Sequence, residues 1–365
     1  MHVANREYRR SAFVAALVVA GQLTPCALAQ WTVTNLHPAG TTYSTANGVS
    51  GTQQVGYAAG ANFQARAALW NRTAASWVNL NPAGASQSYA FGTSGSQQVG
   101  NAYFGGLSRA SLWSGTAASW VDLNPAGAGD STAFGAFGTQ QVGSATFGLD
   151  NVSHAGLWGG TAGSWIDLHP AGASASQATC TSGTQQGGLA RIGGINHAGL
   201  WNGSAASWVD LHPATLTDSL ILGINGSQQV GRATVGGFDH ASLWSGTAAS
   251  WVDLHPAGAD YSWAYGNFGS QQVGFATFGI HSHAALWTGA AGSWVDLSTY
   301  VPSWFSDTLA NGIWSDGATT YIAGQGFNTI TQRTEALLWT QTVPAPGAAG
   351  VLALGGLLAI RRRRR

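Results

Sequence analysis

The sequence has no lysine and little charge of either sign, since charged residues make up 8% of its 365 positions. Three arginines precede residue 11 and five close the chain, so positions 11–360 carry six arginines against 13 acidic residues, a net charge of −7. Proteins that bind nucleic acid neutralise its phosphates with a basic surface. This composition therefore argues against nucleic acid as a partner.

Long apolar runs are also scarce and lie near the two ends. Residues 1–29 combine a basic start, a short apolar stretch over 12–20 and small residues before a cleavage point, marked by Arg6, Arg9, Arg10, Ala27 and Ala29. This pattern predicts a secretory signal peptide cut after Ala29. An N-terminal membrane helix is the alternative, but the run is short for a bilayer core of about 30 Å.

Cysteine occurs only twice, at Cys26 and Cys180. Once the signal peptide is removed, Cys180 has no partner within the chain, so packing alone must stabilise an exported protein. We interpret Cys180 as a buried structural thiol rather than a reactive one.

The C-terminal segment 343–365 has three parts in a fixed order. A short motif, Val343, Pro344, Ala345 and Pro346, precedes an apolar run over 347–360 and five final arginines. At 1.5 Å per residue the apolar run reaches only about 21 Å, a marginal membrane span with a basic stop.

That order resembles the PEP-CTERM sorting signal of exported bacterial proteins, with Ala345 where the family usually has glutamate. The resemblance implies transient membrane anchoring, cleavage near the motif by an exosortase-type transpeptidase, and delivery to the cell surface or its polysaccharide matrix.

Between the two ends, one unit of about 43 residues recurs seven times over residues 30–342. The ending "ALW" and its variants place tryptophan at positions 70, 113, 158, 201, 244, 287 and 339, and "QQVG" or a variant precedes it in each unit. Each unit holds four short apolar or alternating runs separated by Gly, Asn, Asp and Ser, which predicts four strands and no helix. Such a unit is typical of a propeller blade, with a solenoid as the alternative.

The ends of the repeat array indicate a closed ring. The last unit lacks its "SWVDLHPAG" strand, and the mature chain begins with "WTVTNLHPAG", which is that strand alone. We therefore predict an all-β, seven-bladed β-propeller in which residues 31–37 complete the blade formed by residues 307–340. Within a blade, "SxAxG" should be the innermost strand, followed by "QQVGxA", "HAxLW" and "SWVDL".

The pattern "QQVG-A…HAxLW…VDL" is similar to the HAF family of probable extracellular repeats, over residues 31–340. The resemblance implies export and a propeller-like fold, and it implies no reaction.

The repeated polar residues do not predict an active site. His154, His197, His240 and His283 recur once per blade, so rotation separates them too far to share a metal ion, and we expect each to bond to a neighbouring loop. The Asp of "VDL" also recurs and is Asn79 in the first copy, so we expect it to accept hydrogen bonds from turn Ser or Thr. His37, His169, His212 and His255 alternate with Asn81 and Asn124, which suggests a shared turn-stabilising bond. No catalytic, metal or cofactor-binding residue is predicted.

Aromatic residues offer candidates for a ligand-binding face. The two Trp of each repeat should meet across a hairpin as part of the core. The aromatics that break the pattern are better candidates, namely Tyr261, Trp263, Trp304 and Trp314. The loops before "HAxLW" vary most and should share one face of the disc with the "HPAG" connectors.

Two functions remain open at this point. The first is an exported, surface-attached structural or interaction module, with an extracellular polysaccharide or a surface protein as partner and glycan binding as a special case. The second is an exported hydrolase or lyase that acts on glycans on a propeller scaffold. A catalyst needs one asymmetric acidic cluster, whereas a binding module can use repeated residues many times.

Overall fold

The structure is a computed structural model that describes residues 30–148 and 152–342. The predicted signal peptide, with Ala27 and Ala29, and the predicted sorting segment, with Val343, Pro344, Ala345 and Pro346, lie outside the described residues. Within the described ranges, no helix is both long and apolar enough to span a membrane.

The strands form seven four-stranded antiparallel sheets. β1 (Trp31–Asn35) comes first in the chain. Blades 1 to 3 follow as β2 (Tyr43–Ser50), β3 (Gln53–Ala59), β4 (Ala65–Trp70), β5 (Val78–Asn79); β6 (Gln87–Ser94), β7 (Gln97–Phe104), β8 (Leu107–Trp113), β9 (Val121–Asp122); β10 (Ser131–Phe137), β11 (Gln140–Phe147), β12 (Val152–Trp158) and β13 (Ile166–Asp167).

The remaining blades continue in the same order. Blades 4 to 7 are β14 (Ala175–Thr181), β15 (Gln186–Ile192), β16 (Ile195–Trp201), β17 (Val209–Asp210); β18 (Ser219–Asn225), β19 (Gln228–Val235), β20 (Phe238–Trp244), β21 (Val252–Asp253); β22 (Tyr261–Phe268), β23 (Gln271–Phe278), β24 (His281–Trp287), β25 (Val295–Asp296); and β26 (Phe305–Ser315), β27 (Thr319–Asn328), β28 (Arg333–Thr342) with β1.

The ring closes as the two ends of the repeat array predicted. β1 pairs with β28 in the last sheet, with Trp31 opposite Gln341, and the sheet order is β1-β28-β27-β26. The other six sheets run in chain order from the inner strand to the outer strand. The all-β, seven-bladed propeller of four-stranded blades is therefore confirmed.

The outer strands differ from the prediction. In blade 3 the expected "SWVDL" strand reads "SWIDL" and covers residues 164–168. Only Ile166–Asp167 is a strand, because residues 162–164 form a 3-10 turn and the Trp165 N–H bonds to the Ala162 carbonyl at 3.4 Å. The same turn recurs as Ala74–Ser76, Ala117–Ser119, Ala205–Ser207, Ala248–Ser250 and Ala291–Ser293, and a longer 3-10 helix covers Leu297–Tyr300. Short outer strands leave little free sheet edge for pairing with another chain.

The repeated tryptophans hold blades together in two ways. The Trp that ends each third strand is fully buried, and Trp113 packs on Val55, Leu69 and Leu80 of the preceding blade. The second Trp meets the first across the hairpin in two blades, with ring centroids 4.7 Å apart for Trp158 and Trp165. The predicted contact is thus present there.

In two other blades the second Trp has a polar partner. The indole Nε1–H of Trp120 donates to Ser111 Oγ at 2.8 Å, and Trp251 makes the same bond to Ser242 at 3.0 Å. In blade 3 the equivalent of Ser111 is Gly156, and a Cβ built there would lie 1.9 Å from the Trp165 ring. Gly156 therefore makes room for the ring.

Every inner strand carries a β-bulge at the same place. The pairing register of β2 with β3 shifts between Ala46 and Gly48, which leaves Asn47 unpaired, and the other six blades repeat this shift. The bulge brings the Thr45 carbonyl to 1.9 Å from a Cβ built on Gly56, the glycine of "QQVG". A side chain would clash there, which explains why each second strand has glycine at this position.

Strand direction divides the turns between two faces. Antiparallel order places the "HPAG" connectors and the second-to-third-strand turns on one face, which we call the upper face. The inner-to-second-strand turns and the 3-10 turns lie on the lower face. Trp31, the first residue of β1, and its partner Gln341 in β28 also lie on the lower face.

Candidate functional site

The four predicted aromatic residues do not form one site. Trp304 precedes β26 on the upper face and is 43% exposed, and Tyr261, at the start of β22, is 40% exposed. Trp314 lies at the opposite end of its strand and is partly buried between Phe268 and Tyr321, with ring centroids 6.4 and 6.0 Å away. Trp314 therefore belongs to blade packing near the lower face.

Trp263 is held in a charged cluster between blades 5 and 6. Its indole Nε1–H donates to Asp239 Oδ2 at 3.1 Å, and the Arg232 guanidinium lies 4.9 Å from its ring centroid. Arg232 in turn lies 2.9 Å from Asp239 and 3.0 Å from Asp218. This network fixes the orientation of Trp263 between the two blades.

A funnel opens at the centre of the disc, where all seven blades meet. It has a volume of about 430 Å³ and is lined by Thr45, Asn47, Tyr57, Phe91, Phe134, Gln177, Thr179, Leu222, Tyr265, Leu309, Asn311 and Gln325. All seven bulge residues belong to this set. Because a bulge turns its extra residue out of the ladder, each blade directs one side chain to the funnel wall.

The funnel positions vary between blades while their neighbours repeat. The bulge residue is Asn, Phe, Phe, Thr, Leu, Tyr and Asn in blades 1 to 7, yet alanine precedes it in six blades and glycine follows it in six. The position before the alanine also differs from blade to blade, as Thr45, Gln177 and Leu309 show. A sevenfold scaffold thus carries an asymmetric lining.

Aromatic rings form one continuous wall across blades 1 to 3. Tyr57 packs edge-on against Tyr89 at 4.9 Å between centroids, Tyr89 stacks with Phe91 at 6.3 Å, and Phe91 lies 5.7 Å from Phe134. Tyr265 and Phe275 stack at 5.7 Å in blade 6, on another side of the funnel. These contacts fix the rings that face the funnel.

Amide side chains form a second wall, where blade 7 meets blade 1. Thr45 Oγ1 donates to Gln325 Oε1 at 2.7 Å, and the amides of Asn47 and Asn311 each donate to a backbone carbonyl at 2.9 Å. Each amide also has a second polar atom, Gln325 Nε2 and the Oδ1 atoms of the two asparagines. These three atoms are suited to hydrogen bonds with a ligand.

The funnel lining is uncharged. Among the described residues that line it, only Tyr57 and Tyr265 carry a titratable group. Burial raises the pKa of Tyr265 to about 12, and nearby Tyr261 adds to the effect. The Tyr265 hydroxyl is therefore neutral and can donate a hydrogen bond throughout the physiological pH range.

A ring of small residues forms the floor of the funnel. The residue after each bulge is Gly48, Gly92, Gly135, Cys180, Gly223, Gly266 and Gly312 in blades 1 to 7. Where five other second strands have the valine of "QQVG", blade 4 has Gly187, and a Cβ built on Gly187 would lie 2.8 Å from Cys180 Sγ. Burial raises the pKa of the Cys180 thiol to about 12, so it stays protonated, as expected of a structural thiol.

The third-strand histidines pair with the "VDL" aspartates rather than with loops. Nδ1 of His154 lies 2.7 Å from Asp167 Oδ2, and His197, His240 and His283 repeat the pair with Asp210, Asp253 and Asp296 at 2.7–2.9 Å. Arg66 occupies this position in blade 1, and it does bond to a loop, because it donates to the Ser86 carbonyl at 2.9 Å.

The aspartates also differ from the prediction. Asp167 Oδ1 accepts the backbone N–H of His169 at 2.8 Å, and only Asp296 accepts from a turn serine, Ser298. Across residues 30–148 and 152–342, no three His, Cys, Asp or Glu side chains are grouped to hold a metal ion.

The second histidine set forms a bridge between blades. His169 Nδ1 accepts from Ser176 Oγ at 2.8 Å, His169 Nε2–H donates to the Ala173 carbonyl at 3.0 Å, and Ser176 Oγ accepts the Ala155 N–H of the preceding blade. Asn81 makes equivalent bonds, because its Oδ1 accepts from Ser88 and its Nδ2 donates to the Ala85 carbonyl. The predicted interchange of His and Asn is therefore explained by one shared geometry.

We expect these bridges to make stability depend on pH. Burial, assisted by a nearby cationic group, lowers the pKa of His37, His169, His212 and His255 below 6.5. Below pH 6.5 the unfolded chain takes up protons that the folded chain resists, so stability is complete above that pH and falls as the pH drops.

Replacing all four histidines by asparagine should therefore flatten the decline in melting temperature between pH 7 and pH 5. The converse changes, Asn81→His and Asn124→His, should steepen it. Thermal unfolding followed by circular dichroism across that range measures both, and an unchanged slope in the asparagine variant would show that other groups set the pH dependence.

Comparison with known proteins identifies the fold. Neither a protein family nor a curated protein matches the sequence. The β-propeller domain of the Trilobed protease from Pyrococcus furiosus, described as having an open velcro topology, is 7% identical, with a TM-score of 0.54 over 84% of this chain and 98% of that one.

Two peptidases also contain a similar propeller. A puromycin-hydrolysing peptidase of Mycobacterium tuberculosis is 13% identical over 83% of this chain, and an acylaminoacyl peptidase is 9% identical over 86%, each with a TM-score of 0.50. This chain spans 54% of either peptidase chain, about half its length. At such low identity the likeness concerns the fold alone, and by that fold the chain is a seven-bladed β-propeller.

Proposed function

We propose that the protein is an exported, surface-attached binding module of the extracellular matrix, and that its ligand is an uncharged glycan held in the funnel. Export rests on the signal-peptide pattern of residues 1–29. Surface attachment through the membrane, with exosortase-type processing, rests on the resemblance of residues 343–365 to a sorting signal.

The asymmetric lining of a symmetric scaffold is the observation that carries this proposal. The buried framework repeats from blade to blade, as the seven tryptophans that end the third strands show. The bulge residue and the residue two positions before it differ from blade to blade, and the bulge residues all face one shared space. Packing does not require that difference, so we assign it to the recognition of one ligand.

The chemistry of the funnel suits a sugar. Aromatic rings such as Tyr57 and Phe91 offer flat apolar faces to the C–H faces of a sugar ring. Amide and hydroxyl groups such as Gln325 and Thr45 can bind sugar hydroxyls. A charged ligand would lose its hydration in a funnel without a counter-charge, so uncharged glycans are favoured.

The alternative function, a glycan-acting hydrolase, has less support. Such an enzyme uses two carboxyl groups about 5–10 Å apart across the scissile bond. The described funnel-lining residues carry no carboxylate, and the repeated aspartates are paired with His or Arg on the third strands. Binding without turnover therefore fits the lining better than hydrolysis does.

A glycan array tests the proposal with the full chain. We expect binding to one class of uncharged glycans. Phe91→Ala should weaken this binding at least about tenfold by removing a stacking surface, and Tyr57→Phe should weaken it by up to about tenfold by removing a hydroxyl. Trp304→Ala is the matched control, because Trp304 is exposed outside the funnel, and it should bind like the wild type.

Two results would contradict the proposal. Folded protein that binds no glycan would indicate a protein partner instead. Release of new reducing ends from a bound glycan would identify an enzyme.

A further inference from the structure

The funnel wall is continuous around its whole circumference. Each of the seven blades contributes one inner strand, and the seam between β1 and β28 completes the last blade, so no gap opens sideways. If an internal segment of a polymer reached the floor of the funnel, the chain on both sides of that segment would have to leave through the same mouth. If a chain end reached the floor, only one stretch of chain would pass through the mouth.

The floor narrows the channel, so a glycan chain can reach it only with one end first. A Cβ built on a floor glycine would lie 2.9–3.6 Å from the Cα of the next blade's floor residue. Because a Cα–Cβ bond is about 1.5 Å long, the Cα atoms of neighbouring floor residues are no more than about 5 Å apart. Seven such steps make a ring about 11 Å across, and van der Waals contact leaves an opening of about 7 Å.

Several polar side chains that could bind a ligand lie at the level of the bulges, just above the floor, whereas Gln325 lies higher, beside Thr45. Asn47, Asn311 and Thr179 are bulge residues, and all three also border the floor or precede a floor residue directly. A ligand lying across the mouth would contact the upper residues, such as Thr45, and leave the bulge residues untouched. Only a group that enters the funnel reaches both levels.

We propose that the funnel takes the free end of an uncharged glycan chain, so that one protein binds one chain end and does not bind along the chain. This inference rests on the proposed function and adds the part of the ligand that is recognised. The bulge amides bind hydroxyls of the terminal sugar, and the aromatic wall of blades 1 to 3 packs against the sugars that follow.

Calorimetric titration of the full chain distinguishes end binding from binding along a chain. The probes are linear gluco-, manno- and galacto-oligosaccharides, long linear polymers of the same sugars, and cyclic glucans, which have no ends. We expect one protein bound per accessible chain end whatever the polymer length, and binding to cyclic glucans at least tenfold weaker than to their linear counterparts.

A blocking variant tests the place of binding. Leu222→Trp fills the funnel at bulge level without removing a hydrogen bond, and it should weaken binding of linear oligosaccharides more than tenfold. Leu107→Trp is the control, because Leu107 is 48% exposed on a second-to-third-strand turn, and this change should have no effect.

The outcomes separate the two proposals. Several protein molecules bound along one long polymer, or cyclic glucans bound as tightly as linear ones, would overturn end recognition while glycan binding stands. Full affinity in the Leu222→Trp variant would also overturn it. No binding to any probe by folded protein would overturn the glycan function and this inference with it.

Discussion

Deleting residues 31–40 will destabilise the ring far more than deleting residues 343–365. The first deletion removes β1 with two core side chains, Trp31 at 5% and Leu36 at 0% exposure. Burying such side chains stabilises a fold by about 1.5–3 kcal/mol each, so their loss alone costs about 3–6 kcal/mol. It also leaves β28 as a long, unpaired sheet edge.

The same deletion removes a partner of a buried carboxylate. Asn35 Nδ2 donates to Glu335 Oε2 at 2.7 Å, and Glu335 is 2% exposed. Burial opposes its ionisation, but hydrogen bonds from Arg333, Asn328, Asn35 and Thr331 outweigh burial and hold the Glu335 pKa at about 2. Differential scanning calorimetry of the two truncated chains measures the contrast, and equal melting temperatures would show that β1 does not close the ring.

One substitution, asparagine to aspartate, should have opposite effects at two equivalent positions. Asn35 and Asn79 occupy the place that aspartate holds in the "VDL" of the other blades, and each accepts a backbone N–H through Oδ1, a bond that aspartate keeps. The charges at the third-strand position opposite them differ in sign. Asn35 bonds to Glu335, whereas the position that pairs with aspartate in blade 2 is occupied in blade 1 by Arg66.

Asn35→Asp therefore places two carboxylates side by side and should cost about 3 kcal/mol of unfolding free energy at pH 7. Asn79→Asp copies the pair of Arg109 with Asp122, which is 2.6 Å long and partly exposed, so it should be neutral or stabilising by up to about 1 kcal/mol.

Urea denaturation of both variants at pH 7 and pH 4 tests this pair of predictions. The cost of Asn35→Asp should shrink at pH 4, because the introduced carboxyl takes up a proton beside Glu335. Equal effects of the two variants at pH 7 would show that the sign of the third-strand partner does not matter.

The fold was predictable for two reasons. The chain repeats one unit, and the repeat array begins with the strand that its last unit lacks. The orphan strand at residues 31–37 and the missing strand of the last blade required a ring before any coordinate was known. The length of the outer strands was not predictable in the same way. Ser164 continues the "SWIDL" pattern, yet its hydroxyl closes a 3-10 turn by donating to the Thr161 carbonyl at 2.6 Å.

The candidate site was harder to predict, because many of its residues lie at the positions marked x in "SxAxG", where the repeat prescribes no residue type. Variation there was visible in the sequence, but the bulge that turns Phe91 or Tyr265 towards the channel depends on how the inner strand registers against its neighbour. The pairing of His154 with Asp167 escaped prediction for a similar reason. The two residues are 13 positions apart and meet only after the third and outer strands pair.

The seam has a further consequence for how the protein is made. Asn35 and Glu335 are 300 positions apart, whereas the other blades are built from hairpins between neighbouring segments. Local hairpins form early, and a contact at that separation forms last because loop closure must precede it. The first strand therefore stays unpaired until β28 has been synthesised. A chain cut short before β28 can build hairpins but cannot close the ring, and it leaves β1 without its partner. Closure of the ring thus requires that all seven blades have been synthesised.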